Sequence, residues 1–126
     1  MAKTKNTKKK ELGNWGESYA AKYLEGKGYQ ILARNVRTPY GEIDIVAEEK
    51  NQITFVEVKT RTSKKYGYPE EAVTSNKITH LIESAEFYLQ ERHHDPNVDW
   101  RIDVIAIQVD PGRKTPVLTH YENALA

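Results

Sequence analysis

Cysteine is missing from all 126 residues, which excludes disulfides, thiolate zinc sites and cysteine nucleophiles together. Its absence fits a reducing cytoplasm, and a cytoplasmic location is expected. No apolar run approaches the roughly 20 residues that a bilayer-crossing helix needs, so no membrane partner is expected. The opening Met-Ala-Lys-Thr-Lys-Asn-Thr-Lys-Lys-Lys is charged without a following apolar stretch, and is not expected to act as a secretory signal. A large excess of one charge is missing too: 19 Lys and Arg face 18 Asp and Glu. That near-balance hides an asymmetry. Residues 1–10 hold five lysines and no acid, so residues 11–126 carry 14 basic against 18 acidic side chains. This part is no polycation that would hold nucleic acid by bulk charge, and any such binding needs local patches or a metal ion. Residues 1–10 are expected as a disordered basic tail, and residues 11–126 as a single domain with one core.

What is present divides into short periodic segments. Asn14 with Glu17 three residues later has the form of a capping box, predicting a helix to about Glu25 that Gly26 and Gly28 stop. Residues 29–36 alternate as a strand, Thr38-Pro39-Tyr40-Gly41 has strong turn chemistry, and residues 42–47 alternate again. After a polar turn at 48–51, residues 53–60 are rich in β-branched and aromatic side chains and predict a third strand. Residues 61–76 are expected as a loop. Ile78, Leu81, Ile82, Ala85 and Leu89 recur at helical spacing, residues 100–109 predict an interior strand, and residues 117–121 an edge strand. Short turns make the first three strands antiparallel, whereas the second helix is long enough to return the fourth strand parallel to a neighbour. The fold class is α/β, a mixed central sheet flanked by helices.

On the third strand Ile53, Phe55, Glu57 and Lys59 share one side, a face that begins apolar and ends with a carboxylate and an ammonium. Charges belong on such a face only when they are paired or bind something. Asp44 sits 13 residues before Glu57 across one expected hairpin, so the two carboxylates can converge, and hard oxygen donors suit Mg²⁺ or Mn²⁺. A divalent ion there would acidify water and neutralise charge growing on a phosphodiester. Lys59 would steer the attacking water or stabilise the transition state. The competing account is a surface Glu57–Lys59 salt bridge. Glu17 continues the Ala20, Ala21, Leu24 stripe of its helix and could reach the cluster, or it could simply complete the capping box.

Together Gly13-x-x-Gly16-Glu17-x-x-Ala20, Gly41-Glu42-Ile43-Asp44, Phe55-Val56-Glu57-Val58-Lys59 and Arg101-Ile102-Asp103-Val104-Ile105 resemble the YraN (UPF0102) family over nearly all of residues 12–121. That family is similar to archaeal Holliday-junction resolvases within the PD-(D/E)xK superfamily and is predicted to be nuclease-related. The resemblance implies a restriction-endonuclease-like αβββαβ core. It also implies that Asp44 is a metal-binding aspartate, Glu57 and Lys59 the signature acid and lysine, and Glu17 the extra acid of the resolvase branch. Ile43 stands where the superfamily's eponymous proline would be.

The reading that follows is an Mg²⁺- or Mn²⁺-dependent nuclease acting on DNA, with branched or repair intermediates among its expected substrates. Asp44, Glu57, Glu17 and the Val58 carbonyl would hold the ion. The alternatives are a non-catalytic nucleic-acid-binding module and an RNA-directed nuclease. Nucleic-acid contacts are expected from Arg61, Lys64, Lys65 and Tyr66, with Tyr68, just beyond Lys59. They are also expected from Lys77 at the start of the second helix and from Arg34 and Arg37 at the hairpin mouth, with solvated surface residues as the competing account. Symmetric cutting of two strands would favour a homodimer, and DNA-processing proteins are further expected partners. Asp103 is read as structural, paired with Arg101, and His93-His94-Asp95 as a chance cluster in a polar loop.

Overall fold

Side chains that alternate along short strands, and recur every three or four residues along two helices, bury themselves on both faces of one sheet. The computed structural model describes residues 2–62, 75–92 and 94–125, without the side chains of 2–7 and 75. The order is α1 (Ala2–Gly26), β1 (Gln30–Thr38), β2 (Gly41–Glu49), β3 (Gln52–Arg61), α2 (Ser75–Glu91), β4 (Asp99–Gln108) and β5 (Val117–Tyr121). The strands lie in chain order across a mixed sheet. β1, β2 and β3 form an antiparallel meander, β4 runs parallel to β3 after the α2 crossover, and β5 returns antiparallel along β4. This is the restriction-endonuclease-like αβββαβ core expected from the sequence, extended by an edge strand. Among the described residues no helix is long and apolar enough to cross a membrane.

The β2–β3 connection illustrates how local chemistry sets register. Lys50 and Asn51 take φ of 51° and 64°, so the two-residue turn twists with its strands and sets Glu49 opposite Gln52. One face of the sheet buries Ile45, Ala47, Val56, Ile105 and Ile107 under Ala20, Ala21 and Leu24 of α1. The other buries Ile43, Val46, Ile53, Phe55 and Ile102 under Leu81, Ala85 and Tyr88 of α2. Burying each of the larger side chains contributes about 1.5–3 kcal/mol, and β4, covered on both faces, is buried from Ile102 to Gln108.

The helix expected to begin at Asn14 begins at Ala2, so the segment expected as a disordered tail lies, from Ala2 onward, within α1. Lys, Glu and Leu are good helix formers, and Gly13 alone in this stretch costs about 1 kcal/mol relative to alanine. Asn14 is therefore interior to the helix, and a capping box no longer accounts for Glu17, because a capping residue must itself be non-helical.

One residue earlier, Gly16 lies at a close approach of α1 to β3. A Cβ there would overlap the Thr60 side chain and lie 3.1 Å from Thr60 Cβ, which β3 holds in place. Gly16→Ala is expected to destabilise the protein by about 1–3 kcal/mol through overpacking. It should also displace the neighbouring Glu17. An unchanged melting temperature would show instead that Thr60 gives way freely.

Candidate functional site

The β2–β3 ladder runs from Glu49 opposite Gln52 only as far as Ile45 opposite Val56. Beyond that point the strands are no longer paired, and the Asp44 carboxylate takes the place of a main-chain acceptor: Val58 N donates to its Oδ2 at 2.8 Å. The parting also breaks side-chain alternation. Ile43 and Val46 pack in the same α2-side core, whereas strict alternation would put them on opposite faces. The expected alternation of residues 42–47 is corrected accordingly, because Asp44 reaches sideways across the gap towards β3.

Three carboxylates converge at this opening. Glu17 of α1, Glu42 at the start of β2 and Asp44 each place an oxygen within 4.8 Å of the others. Gly41, at φ 143°, turns the chain from Thr38-Pro39-Tyr40 into Glu42 through a conformation that side-chain-bearing residues rarely adopt. Thr38 Oγ1 donates to Gly41 O at 2.8 Å, accepts from Tyr40 N at 3.1 Å, and is 2.9 Å from Ser84 Oγ. Its one proton being used on Gly41, Ser84 supplies the proton of the last bond, tying this turn to α2.

Glu57 and Lys59 form an ion pair at 3.0 Å with side chains only 12% and 13% exposed. Such burial is inconsistent with the surface salt bridge considered as the bland alternative. Glu57 lies outside the three-carboxylate group, but it lines both cavities that Asp44 lines. Glu42 is the acid that the sequence reading did not single out as a site residue. Its position two before Asp44 in an alternating segment was the available signal.

Burial and neighbouring charge disfavour ionisation of two of the clustered acids, Asp44 and Glu17. Burial, then the Glu57 charge, pushes the Asp44 carboxyl up to about 7, with Glu17 adding to the effect and the Val58 N–H and Lys59 opposing it. Burial also raises the Glu17 carboxyl against the pull of Arg34. Arg34 Nη2 stands 3.9 Å from Glu17 Oε1, too far for a hydrogen bond, so that buried oxygen has no hydrogen-bond partner. For Lys59, burial disfavours the charged form, but hydrogen bonds with Lys77 and Glu57 and the Glu57 and Asp44 charges outweigh it, holding the ammonium above its usual range. Lys77 is lowered, first by its hydrogen bond with Lys59, then by burial and the Lys59 charge. Two adjacent amines do not share a site equally, and Lys59 holds its proton more tightly than Lys77 does.

Two cavities meet at Asp44 and Glu57. On the α1 side one of about 550 Å³ is lined by Lys9, Glu17, Val58, Lys59, Thr60 and Arg61, among others. On the α2 side one of about 260 Å³ is lined by Tyr40, Glu42, Lys77, His80, Leu81 and Ser84, with Gly41. The expected basic residues sit around them. Arg34 donates to Ser18 Oγ beside Glu17, Arg37 lies 3.9 Å from Glu42 with its side chain 91% exposed, and Arg61 donates to Thr60 O. Lys64, Lys65, Tyr66 and Tyr68 lie outside the described residues. Of Val58, the structure places the amide nitrogen on Asp44 and the residue at the cavity wall.

Two further groups resolve as structural. Asp103, fully buried, lies 3.0 Å from Arg101 Nε, as expected, and also meets His120 Nε2 at 2.7 Å, which the sequence reading missed. No local signal links residues 17 apart on neighbouring strands. His94 stacks on Tyr88, and Asp95 accepts from Asn97 N in the turn before β4, while His93 lies outside the described residues.

Comparison with known proteins adds a family. Residues 16–107 match the model of the uncharacterised protein family UPF0102. A UPF0102 protein of Syntrophomonas wolfei is 47% identical over 116 residues, covering 91% of this chain and 97% of the relative. One from Caldicellulosiruptor saccharolyticus is 49% identical over 102 residues, or 81% and 86% of the two chains. One from Syntrophotalea carbinolica is 50% identical over 97 residues, or 77% and 78%.

Proposed function

This chain belongs to the UPF0102 family, and from the geometry of its acidic cleft we propose that it is a divalent-metal-dependent nuclease that hydrolyses phosphodiester bonds in DNA. The observation that carries this reading is the convergence of Glu17, Glu42 and Asp44, from a helix and the mouth of a hairpin, beside the buried Glu57–Lys59 pair. Carboxylates crowd together at a cost, since each raises the protonation tendency of the next. A buried carboxylate oxygen with no hydrogen-bond partner, on Glu17, supports a cation as the partner it lacks.

The donor set is all oxygen, which suits Mg²⁺ or Mn²⁺. Glu17, Glu42 and Asp44 would hold the ion, with Glu57 and the Val58 carbonyl as further donors at the same cavity wall. When bound, such an ion lowers the pKa of water and neutralises charge developing on a phosphate. The chain's own groups supply the rest. The Val58 N–H holds the Asp44 carboxylate in one orientation. Lys59, anchored by Glu57, keeps an ammonium at the cleft, where it orients the attacking water and stabilises the in-line transition state. Arg34, Arg37 and Lys77 surround the acids with positive charge, offsetting the repulsion between an acidic site and a polyanion.

Nicking of supercoiled plasmid and of branched DNA with Mn²⁺ tests the reading. Wild-type protein is expected to cut, and Glu57→Ala and Lys59→Ala to lose about 10²–10³-fold in rate. Equal activity in wild type and both variants would assign the cleavage to a contaminant. Binding without cleavage under any divalent ion would favour a non-catalytic module, and preferential hydrolysis of matched RNA would move the substrate class to RNA.

A further inference from the structure

The acids stand between two cavities of different chemistry. The α1-side cavity carries Lys9, Lys59 and Arg61 with Thr60 and Thr62, groups that suit a phosphate backbone. The α2-side cavity carries Tyr40, His80 and Leu81 with Lys77 near the acids, a mixture that suits a ring system with a phosphate at one end. We propose that the α2-side cavity is a subsite for one unpaired nucleotide adjacent to the scissile phosphate, with Tyr40 as its stacking platform. The substrate is then DNA with a single-stranded element at the cut, such as a flap or gap, rather than continuous duplex. This inference rests on the nuclease reading above.

Size is the first argument. At about 260 Å³ the cavity lies just below the range that accommodates drug-sized ligands, a size closer to one nucleoside than to a base pair with its two backbones. Position is the second. Tyr40 precedes the metal-cluster acid Glu42 by two residues, and both line this cavity together with Asp44 and Glu57. A base stacked on Tyr40 therefore has its own phosphate, not a distant one, at the carboxylates.

Preorganisation is the third argument. Tyr40 is 46% exposed, yet its surroundings are fixed. Its ring packs edge-on against Phe87 at 6.3 Å. Its turn is bound through Thr38 Oγ1 to Gly41 O, Tyr40 N and Ser84 Oγ. At Gly41, a Cβ would lie 3.8 Å from Ser84 Oγ and 4.0 Å from His80 Cβ, narrowing the floor between Tyr40 and α2. An aromatic ring that is open to solvent on a clamped backbone loses little freedom when a base stacks on it, which is what makes such platforms effective for single strands. His80, which also lines the cavity, offers ring nitrogens for the base edge.

The test uses two fluorescein-labelled duplexes of identical sequence, one continuous and one carrying a three-nucleotide 5′ flap. Binding is followed by anisotropy with Ca²⁺ and cleavage with Mn²⁺. Wild type is expected to bind the flapped duplex at least tenfold more tightly. Tyr40→Ala is expected to weaken flap binding about five- to hundredfold and leave continuous-duplex binding unchanged, while Tyr40→Phe stays within about threefold of wild type by keeping the ring. A 2-aminopurine at the first unpaired position should be quenched on binding wild type and not Tyr40→Ala. Equal loss on both duplexes, or no loss, overturns the subsite. If wild type cuts both substrates equally well, the subsite falls and the nuclease reading stands. If Tyr40-dependent flap binding occurs without hydrolysis, the subsite stands and the nuclease reading falls.

Discussion

Asp44→Asn is expected to raise the melting temperature of the metal-free protein at pH 8 by roughly 5–15 °C, while abolishing Mn²⁺ binding and cleavage. The Asp44 carboxyl, pushed up to about 7 by burial and by Glu57, prefers to be protonated in the fold. Unfolded, it titrates near 3.9. The native state therefore binds more protons than the unfolded state between about pH 4 and pH 7, and this group's contribution to stability declines as pH rises through that window. The penalty is absent below pH 4 and complete above pH 7, where it is of the order of 2–4 kcal/mol. Asparagine removes the charge and keeps an oxygen for the Val58 N–H. The stabilisation should therefore vanish near pH 4, and thermal melts at pH 4.5 and pH 8 give the comparison. Saturating Mn²⁺ should reverse the order, because cation binding to wild type removes the repulsion and adds its own stabilisation. If the asparagine variant melts below wild type at pH 8 without metal, the acids are not frustrated and the case for a cation site loses its electrostatic basis.

Replacing Asp103 acts in the opposite direction. Asp103→Ala is expected to cost about 3–5 kcal/mol, since removing one partner strands the buried charge of the other. The carboxylate accepts from Arg101 Nη2 at 3.2 Å, His120 Nε2 at 2.7 Å and Asn123 N at 2.9 Å. Arg101 Nε is 3.0 Å away as an ion pair without hydrogen-bond alignment, and so remains unsatisfied as a donor. Further out, Arg101 Nη2 donates to Tyr29 Oη at 2.8 Å, and Tyr23 Oη lies 3.0 Å from His120 Nδ1. One aspartate thus joins α1, β4, β5 and the segment after β5. Burial tends to raise this carboxyl, but the His120 and Asn123 hydrogen bonds and the Arg101 charge outweigh it and hold it below the usual range. With the folded value depressed, the stabilisation is fully present above the unfolded value near 3.9 and is lost as pH falls through the lower folded value. Urea unfolding at pH 7 should show the full deficit, and the gap between variant and wild type should close in acid. A deficit below about 1 kcal/mol at pH 7 would mean that Arg101 and His120 find water at little cost, and the network would not be what holds β5.

The elements most legible in the sequence were those determined by interactions between near neighbours. Ile53, Phe55, Glu57 and Lys59 share one side of β3, and the contradiction between two apolar and two charged residues on that side pointed to a site before any geometry was known. In the structure the two charged residues form an ion pair with little exposure. Glu42 was passed over because its one local signal, a place two residues before Asp44, fits an exposed strand-end acid equally well. Its role follows from α1 bringing Glu17 to it. Glu17 itself had a sufficient local explanation as a capping residue, which lost its force only when α1 proved to extend past Asn14.

By itself, the amino-acid order determined the succession of helices and strands, the antiparallel meander, the parallel return through α2 and the choice of Asp44, Glu57 and Lys59 as candidate site residues. Each of these depends on periodicity or turn chemistry acting over a few residues. Only the tertiary structure decided that β2 and β3 part at Asp44, that Gly16 admits α1 close enough for Glu17 to join Glu42, and that His120 closes on Asp103. Those outcomes depend on how a helix crosses a sheet and where two strands separate. Packing between segments distant in the chain sets both, and no local pattern of residues encodes them.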